Sequence, residues 1–264
     1  MSRLISATKV EVIERIVSAH QRESAGPGGK HVLVACLPKS GSTYLSNILS
    51  ALPEFERANL TFGFGRREQE LCIFTCAAMH GINYVAQHHV RYSQSTDDIM
   101  KSFGIFPVIL MRNFYDCVVS ARDQFCIGEM EGPVAYVEPS FTSWPAEKQY
   151  DFIIDMALPW YGNFVASWSD YKGPAARVYY SDLIRSPREV ISQIAQAAGI
   201  TVSAVDIETA ITNGGADKAS SRFNVGRIGR GMEQLNKRQI ARIQALFSVY
   251  SSIPEFERLL KPPH

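Results

Sequence analysis

The segment HVLVACLPKSGSTYLSNIL, residues 31–49, constrains the fold more than any other part of the chain. Its first part is a continuous apolar run, which is typical of a strand buried on both faces, and its last part has the apolar spacing of a helix. The turn between them brings backbone N–H groups and a helix N-terminus to the carboxyl end of the strand. Such a turn favours an anion, because the N–H groups and the helix dipole attract negative charge.

The order of residues in this turn argues against one class of ligand. The loop that binds nucleoside triphosphates reads G-x-x-x-x-G-K-[ST], with the lysine after the second glycine. In this chain Lys39 precedes Gly41, and Cys36 stands where the first glycine would be. A nucleoside triphosphatase is therefore disfavoured. Taken alone, the segment is also compatible with an ordinary strand–turn–helix unit that is capped by serine or threonine.

Apolar runs of strand length alternate with helical patterns along the chain. The predicted strands are 32–37, 83–88, 106–111 and 176–180, and the predicted helices are 43–51, 114–125, 148–168, 187–199, 203–212 and 233–249. This alternation predicts a three-layer, P-loop-like α/β fold with helices on both sides of a central, mostly parallel sheet. The 264 residues suffice for one domain, with an N-terminal helix and hinge over 1–30 and a catalytic core over 31–250.

Composition excludes several classes of partner. Lys and Arg number 27 against 26 Asp and Glu, and this balance argues against bulk binding to nucleic acid or to an anionic membrane. No apolar run has the length of a membrane span, and the first twenty residues have the pattern of an amphipathic helix, so we expect a cytoplasmic protein. The five cysteines include no C-x-x-C pair and are interpreted as buried thiols, and no metal site is expected.

A second strand–helix unit, FPVILMRNFYDCVVSARDQF, covers residues 106–125. It places Arg112 at the carboxyl end of the strand and Ser120 inside the following helix. An arginine in that position can bind a phosphate through two parallel hydrogen bonds. The alternative is a structural ion pair with Asp116 or a neighbouring carboxylate.

Together these segments resemble the sulfotransferases that use 3′-phosphoadenylyl sulfate (PAPS). PKSGSTYL is similar to their 5′-phosphosulfate loop, PKSGTTW, and VILMRNFYDCVVSARDQF is similar to their 3′-phosphate segment, V-x-x-x-R-N-x-x-D-x-x-x-S. VYYSDLIRSPREVI (178–191) resembles Y-Y-E-D-[ML]-x-x-x-P, and FNVGRIGRG (223–231) resembles the C-terminal R-K-G-x-x-G-D-W. The four elements follow one another in the family's order.

The resemblance implies roles for the matching residues of the opening loop. Lys39 would contact the bridging oxygen and the sulfuryl group of PAPS. The residues that would cradle the 5′-phosphate are Ser40, Gly41, Ser42 and Thr43. Tyr44 occupies the family's tryptophan position and would stack against adenine. The product would be adenosine 3′,5′-bisphosphate (PAP).

The other matching segments would bind the remainder of the nucleotide. Arg112 and Ser120 would contact the 3′-phosphate, and Tyr180 would approach the adenine edge. The C-terminal element would add Val225, Gly226 and Arg227, with charge supplied by one of Arg222, Arg227 and Arg230. A solvated basic turn is the alternative for that element.

The expected base lies in VAQHHVRY, residues 85–92, which resembles the K-x-H-[LF]-P element of cytosolic family members. Aligning His88 with the family's histidine puts Ala86 at the lysine and Val90 at the proline. Histidine is a suitable base near neutral pH. His88 is therefore the expected catalytic base, with His89 as the alternative, and Lys39 would carry more of the transition-state charge.

The acceptor and the oligomeric state are less constrained. A small hydrophobic alcohol or phenol is the first expectation, a sugar or glycolipid hydroxyl the second, and an amine is less favoured; a homodimer is compatible with the sequence. Aromatic residues in 59–74 and 126–147 either line an apolar pocket or pack on the core. Two other classes stay open. A P-loop nucleotide kinase should show Gly-Lys-[Ser/Thr] and a Mg²⁺-binding aspartate at a strand end, and neither is present. A non-catalytic nucleotide-binding protein stays open because Ala86 stands at the family's lysine position.

Overall fold

The computed structural model of the protein describes residues 29–62, 69–127, 135–216 and 227–262. Its central sheet has five strands, all paired in parallel, in the order β2-β3-β1-β4-β5. The strands are β1 (His31–Cys36), β2 (Phe55–Ala58), β3 (Asn83–His88), β4 (Ile105–Met111) and β5 (Ala176–Tyr179). The predicted α/β class and parallel sheet are therefore confirmed.

Helices cover both faces of this sheet. They are α1 (Ser42–Ser50), α2 (Ile73–Ala78), α3 (Gln94–Phe103), α4 (Phe114–Cys126), α5 (Ala146–Met156), α6 (Leu158–Ser169), α7 (Tyr180–Arg185), α8 (Pro187–Ala197), α9 (Ala204–Ala216), α10 (Arg230–Gln234), α11 (Lys237–Phe247) and α12 (Pro254–Leu260). Short 3₁₀ turns cover Pro139–Ser143 and Ser248–Tyr250. No helix in the described ranges is long and apolar enough to cross a membrane.

Strand β1 shows why the sheet is buried on both sides. Val32 and Val34 pack into one apolar cluster with α1, α8 and α9, whereas Leu33 and Ala35 pack into a second cluster with α3 to α6. All six residues of β1 are buried. A strand covered on both faces needs apolar side chains at every position, which explains the continuous run in the sequence.

The boundaries show where local patterns suffice. The four predicted strands agree with the structure within one residue at each end. The helix predicted over 148–168 is two helices, because Pro159 lies in the first turn of α6 and cannot continue a preceding helix.

Helix α9 runs past its predicted end because Gly214 allows close contact with α1: a Cβ atom there would lie 2.6 Å from the backbone nitrogen of Ile48. The N-terminal helix and most of the hinge lie outside the described residues.

The sheet brings three sequence motifs to one edge. β1 ends at Cys36, β3 at His88 and β4 at Met111, and the strand register pairs Ala35 with His88 and Cys36 with Leu110. Lys39, the His88–His89 pair and Arg112 therefore follow the carboxyl ends of three neighbouring strands. Ligands of open α/β sheets bind at this edge.

Candidate active site

The loop between β1 and α1 has an unusual backbone. Lys39 and Gly41 both have a left-handed conformation, with φ of 65° and 86°. Such a conformation is common for glycine but strained for lysine, and strain of this kind is concentrated at functional sites. Ser40 stabilises the turn from inside, because its hydroxyl and its N–H both donate to the Leu37 carbonyl, at 2.6 Å and 3.2 Å. The Ser40 hydroxyl thus stabilises the loop itself. The hydroxyls of Ser42 and Thr43 lie at the start of α1.

Gly41, Tyr180 and Arg112 are stacked against one another. A Cβ atom on Gly41 would lie 2.6 Å from the Tyr180 ring, so the ring needs the bare glycine backbone. The Arg112 guanidinium carbon lies 4.2 Å from the centre of the same ring. Arg112 Nη1 also donates to the Lys39 carbonyl at 2.9 Å. The structure therefore brings together three segments that are widely separated in the sequence.

Arg112 is buried without a full set of partners. It is 7% exposed, and its Nε atom makes no hydrogen bond within the described part of the chain. The nearest Asp116 oxygen is 4.0 Å from Nη2, longer than a hydrogen bond. That carboxylate accepts hydrogen bonds from the N–H groups of Gly229 (3.0 Å) and Gly231 (2.8 Å) instead. Arg112 and Asp116 thus form a loose buried ion pair, and the hydrogen bonds of the Asp116 carboxylate go to the C-terminal element.

A cavity of about 230 Å³ adjoins Arg112 and Tyr180. Its lining also includes Arg185, Arg258 and Lys261, so four basic side chains surround it. Two of these are already neutralised in part, since Arg258 pairs with Asp182 and Lys261 pairs with Glu257. The cavity extends the basic surroundings of Arg112 towards α12.

The C-terminal element approaches Arg112 through its backbone. The Arg227 carbonyl accepts from Arg112 Nη2 at 3.5 Å, whereas the Arg227 side chain pairs with Glu233. Arg230 pairs with Asp123 at 2.7 Å. Ser120, 3% exposed, lies one helical turn after Asp116 and on the same side of α4, which faces this element. The predicted contacts of Val225, Gly226 and Arg222 lie outside the described residues.

Tyr44 lies at the start of α1, half-buried, beside the last turn of α9. A Cβ atom on Gly215 would be 3.6 Å from the Tyr44 ring, so the ring lies close to the backbone of α9. Burial raises the pKa of the Tyr44 hydroxyl.

His88 is a poor proton acceptor in this fold. It is 1% exposed, and its Nε2 accepts a hydrogen bond from the Leu60 N–H at 2.9 Å. The neutral ring must then carry its proton on Nδ1, which has no hydrogen-bond partner among the described residues. Burial, and to a lesser extent the charges of His89 and Arg57, lowers the pKa of His88 to about 3. The only lone pair of the ring is thus already in use.

His89 has the arrangement that a base requires. Its Nδ1 lies 2.9 Å from the Cys36 carbonyl oxygen, which can only accept, so Nδ1 carries the proton and Nε2 keeps its lone pair. His89 as a residue is partly exposed, and its backbone N–H donates to the Gln69 side-chain oxygen at 2.7 Å, which positions the backbone. Burial lowers the pKa of His89, the Cys36 hydrogen bond raises it, and the charge of Lys39 lowers it again.

Comparison with known proteins decides the family. A family model described as Sulfotransferase domain matches residues 29–223, about three quarters of the chain. The chain belongs to the sulfotransferase family. A search of curated protein sequences finds no match to this sulfotransferase.

Solved structures show the same fold at low identity. The sulfotransferase is similar to mouse sulfotransferase SULT7A1 complexed with PAP, with a TM-score of 0.66, 15% identity, and coverage of 94% of this chain and 92% of the other. It is also similar to retinol dehydratase in complex with androsterone and inactive cofactor PAP, with a TM-score of 0.56, 12% identity, and coverage of 90% and 84%. A third similar structure is sulfotransferase STF9 from Mycobacterium avium, with a TM-score of 0.52, 12% identity, and coverage of 89% and 80%.

Two polar residues of the sulfotransferase were missed by sequence reasoning. Gln87 Nε2 donates to Ser42 Oγ at 2.8 Å, and Gln87 Oε1 accepts from Arg57 Nη2 at 3.3 Å. A signal existed for Gln87, since it shares a strand face with the buried Val85 yet is polar. None existed for Arg57, because its short strand β2 has no apolar pattern. In the described ranges no group of three or more His, Cys, Asp or Glu side chains could bind a metal.

Proposed function

We propose that this sulfotransferase transfers the sulfuryl group of PAPS to a hydroxyl of a small-molecule acceptor and releases PAP. The observation that carries the proposal is the environment of Arg112. Its buried guanidinium stacks on Tyr180 and donates from Nη1 to the Lys39 carbonyl, while its Nε has no hydrogen-bond partner among the described residues. Its nearest counter-charge, the Asp116 carboxylate, lies 4.0 Å away and already accepts hydrogen bonds from Gly229 and Gly231, so a phosphate beside the guanidinium would be a closer partner. PAP in two similar structures supports this choice of nucleotide.

PAPS supplies an activated sulfuryl group joined through oxygen to a phosphate. At the loop, Lys39, Ser42 and Thr43 would contact that end of the nucleotide, together with the N–H groups of the first turn of α1. Ser40 would act indirectly by fixing the turn through Leu37. At the other end, Arg112, Ser120 and the Arg227 segment would bind the 3′-phosphate, while Tyr44 would stack on adenine. Tyr180 would orient Arg112.

The proposed base is His89. Its Nε2 would take the hydroxyl proton of the acceptor as the acceptor oxygen bonds to sulfur. The sulfur–oxygen bond to the phosphate breaks in the same step, and Lys39 would stabilise the negative charge left on that phosphate. His88 is less suited, because proton transfer would require it to give up the Leu60 hydrogen bond inside the core. With His89 as the base, Gln87 takes the position of the lysine in the K-x-H pattern.

The proposed acceptor is a hydrophobic alcohol or phenol. Of the aromatic residues considered for an apolar pocket, Phe141 is fully buried and packs edge-on against Phe125, so it belongs to the core. Phe62 and Tyr136 are 69% and 66% exposed. Exposed aromatic side chains of this kind would offer an apolar acceptor a surface to pack against.

Calorimetric titration with PAP and then with ATP tests the function. We expect PAP to bind clearly more tightly than ATP, and we expect mass spectrometry to show sulfated product after incubation with PAPS and a panel of phenols and alcohols. Tight binding of ATP without binding of PAP would contradict the proposal and favour a nucleotide kinase. PAP binding without transfer to any acceptor would favour a non-catalytic nucleotide-binding protein.

A further inference from the structure

Hydrogen bonds connect the edge strand β2 to helix α1, which directly follows the loop after β1. Arg57 on β2 donates from Nη1 to Asn47 Oδ1 at 3.4 Å and from Nη2 to Gln87 Oε1 at 3.3 Å. Gln87 on β3 donates in turn from Nε2 to Ser42 Oγ at 2.8 Å. Arg57, Gln87 and Ser42 together form a chain of hydrogen bonds, the Arg57 relay. It ends on a hydroxyl in the first turn of α1, next to Gly41.

The chemistry of the three groups fixes the direction of every hydrogen bond. A guanidinium only donates, so the Gln87 oxygen must face Arg57 and the Gln87 nitrogen must face Ser42. Ser42 Oγ therefore accepts from Gln87, and its single hydrogen is left to donate elsewhere. Without Arg57 the Gln87 amide is free to turn over, and Ser42 would then donate to the amide oxygen. The arginine thus decides whether the Ser42 hydroxyl can donate to an anion.

The present acceptor near Ser42 is a weak one. A hydrogen bond from Ser42 acts to lower the pKa of the Cys36 thiol, although burial, the larger effect, raises that pKa to about 12. The sulfur of a neutral thiol accepts hydrogen bonds only weakly, so a phosphate oxygen would replace it readily. Ser42 is 6% exposed, so little solvent competes for its hydroxyl.

The positive charge of Arg57 also reaches this edge of the sheet. It lowers the pKa of the Cys36 thiol at the end of β1 and that of His88 at the end of β3, in each case as a smaller effect than burial. Arg57 is exposed as a whole residue, but burial of part of its side chain still lowers its pKa. A partly desolvated cation acts more strongly on a nearby anion.

We propose that Arg57 is a positioning residue for the 5′-phosphate side of the nucleotide and acts through Gln87 on the Ser42 hydroxyl. The inference rests on the proposed function, since it assumes that the loop binds the 5′-phosphate. Arg57 itself does not touch the nucleotide. Its removal therefore affects only ligands that carry the 5′-phosphate.

Two ligands separate this role from a structural one. PAP carries both phosphates, and adenosine 3′-monophosphate lacks the 5′-phosphate. We expect Arg57→Met to weaken PAP binding about tenfold and to leave adenosine 3′-monophosphate unchanged, since one charge-assisted hydrogen bond is worth at least a factor of ten. Arg57→Lys keeps a donor-only cation and should recover most of the loss. Lys172→Met is the matched control: it removes one exposed positive charge before β5, at the opposite edge of the sheet, and should change neither affinity.

A second variant tests the relay without removing the arginine. Gln87→Glu keeps the shape of the side chain and can accept from Arg57, but it cannot donate to Ser42. We expect it to weaken PAP binding as much as Arg57→Met or more, again with unchanged binding of adenosine 3′-monophosphate. In Arg57→Met/Gln87→Met, the second substitution should add little to the first, because both act on one hydroxyl.

Calorimetry measures the affinities of PAP and adenosine 3′-monophosphate for each variant. Unchanged PAP affinity in Gln87→Glu, or equal losses for both ligands in the Arg57 and Gln87 variants, would overturn the relay. Additive losses in the double variant would also overturn it. A wild-type protein that does not prefer PAP to adenosine 3′-monophosphate would contradict the proposed function instead. If Arg57→Met fails to fold, Arg57→Lys and Gln87→Glu still decide the question.

Discussion

His88→Gln is the variant that best separates a buried structural histidine from a catalytic one. A glutamine side chain can place its amide oxygen near the position of Nε2 and accept from the Leu60 N–H, so the core hydrogen bond is retained. Glutamine cannot titrate, however. We expect His88→Gln to keep sulfuryl transfer, whereas His89→Gln should lower its rate by about 10²–10⁴-fold, the usual contribution of a general base.

The same variant should change how stability depends on pH. The pKa of His88 is lowered to about 3, from an ordinary value of 6.5. Between these values the unfolded chain binds the proton and the folded chain does not, so the folded protein loses stability as the pH falls below 6.5. At about pH 5 the protonated form of an unfolded histidine outnumbers its neutral form by about 30 to 1. The free energy of unfolding at that pH is therefore about 2 kcal/mol lower than near pH 7.

Urea unfolding followed by circular dichroism, at about pH 7.5 and about pH 5, measures this loss. All other titrating groups are common to both proteins, so we expect the wild-type protein to lose about 2 kcal/mol more than His88→Gln over this interval. Equal losses in the two proteins would refute the buried, neutral state of His88. Loss of transfer in His88→Gln with full activity in His89→Gln would refute His89 as the base.

Three further experiments test the other proposed roles. Arg112→Ala should lower the free energy of PAP binding by about 1.5–3 kcal/mol and hardly change that of adenosine 5′-monophosphate; calorimetry measures both, and equal losses would make Arg112 structural. Lys39→Ala should depress turnover more than PAP affinity, because its charge acts on charge that develops during transfer; weakened binding with unchanged turnover would contradict this. In the wild-type protein, the acid limb of the kcat/KM profile should lie below pH 6.5, because burial and Lys39 lower the pKa of His89; a limb above that pH would count against the base.

The sheet was predictable because its central strands are buried on both faces. The central strands β1, β3 and β4 each contain an apolar stretch, and the edge strand β5 contains a short β-rich one, so local pattern sufficed for all four. The edge strand β2, FERA, has two exposed charged residues, so nothing in its sequence distinguishes it from a loop. Helix α3 was missed although its ends are marked: the Ser93 side chain accepts from the Thr96 N–H, and Gly104 ends the helix with φ of 61°. Its polar composition concealed the pattern of its apolar side.

The residues that we propose to bind phosphate were predictable to different degrees. Lys39, Gly41 and Arg112 follow buried strands directly, so their meeting at one edge of the sheet follows from the parallel fold. The internal role of Ser40 was not predictable, since only the folded turn shows its hydroxyl bonded to Leu37. Arg57 contacts the loop region through a long-range side-chain network, and no local pattern in a sequence encodes such a contact.

The choice between His88 and His89 depends on tertiary structure alone. Strand alternation requires the two rings to face opposite sides of the sheet, but it does not say which side offers an acceptor for Nδ1. The register of β3 against β1 pairs His88 with Ala35, and this places His89 beside the Cys36 carbonyl. The same alternation turns His88 towards Leu60, whose N–H occupies the remaining lone pair of that ring. The pairing of β1 with β3 therefore sets which ring meets the Cys36 carbonyl, and it underlies our proposal of His89 as the base.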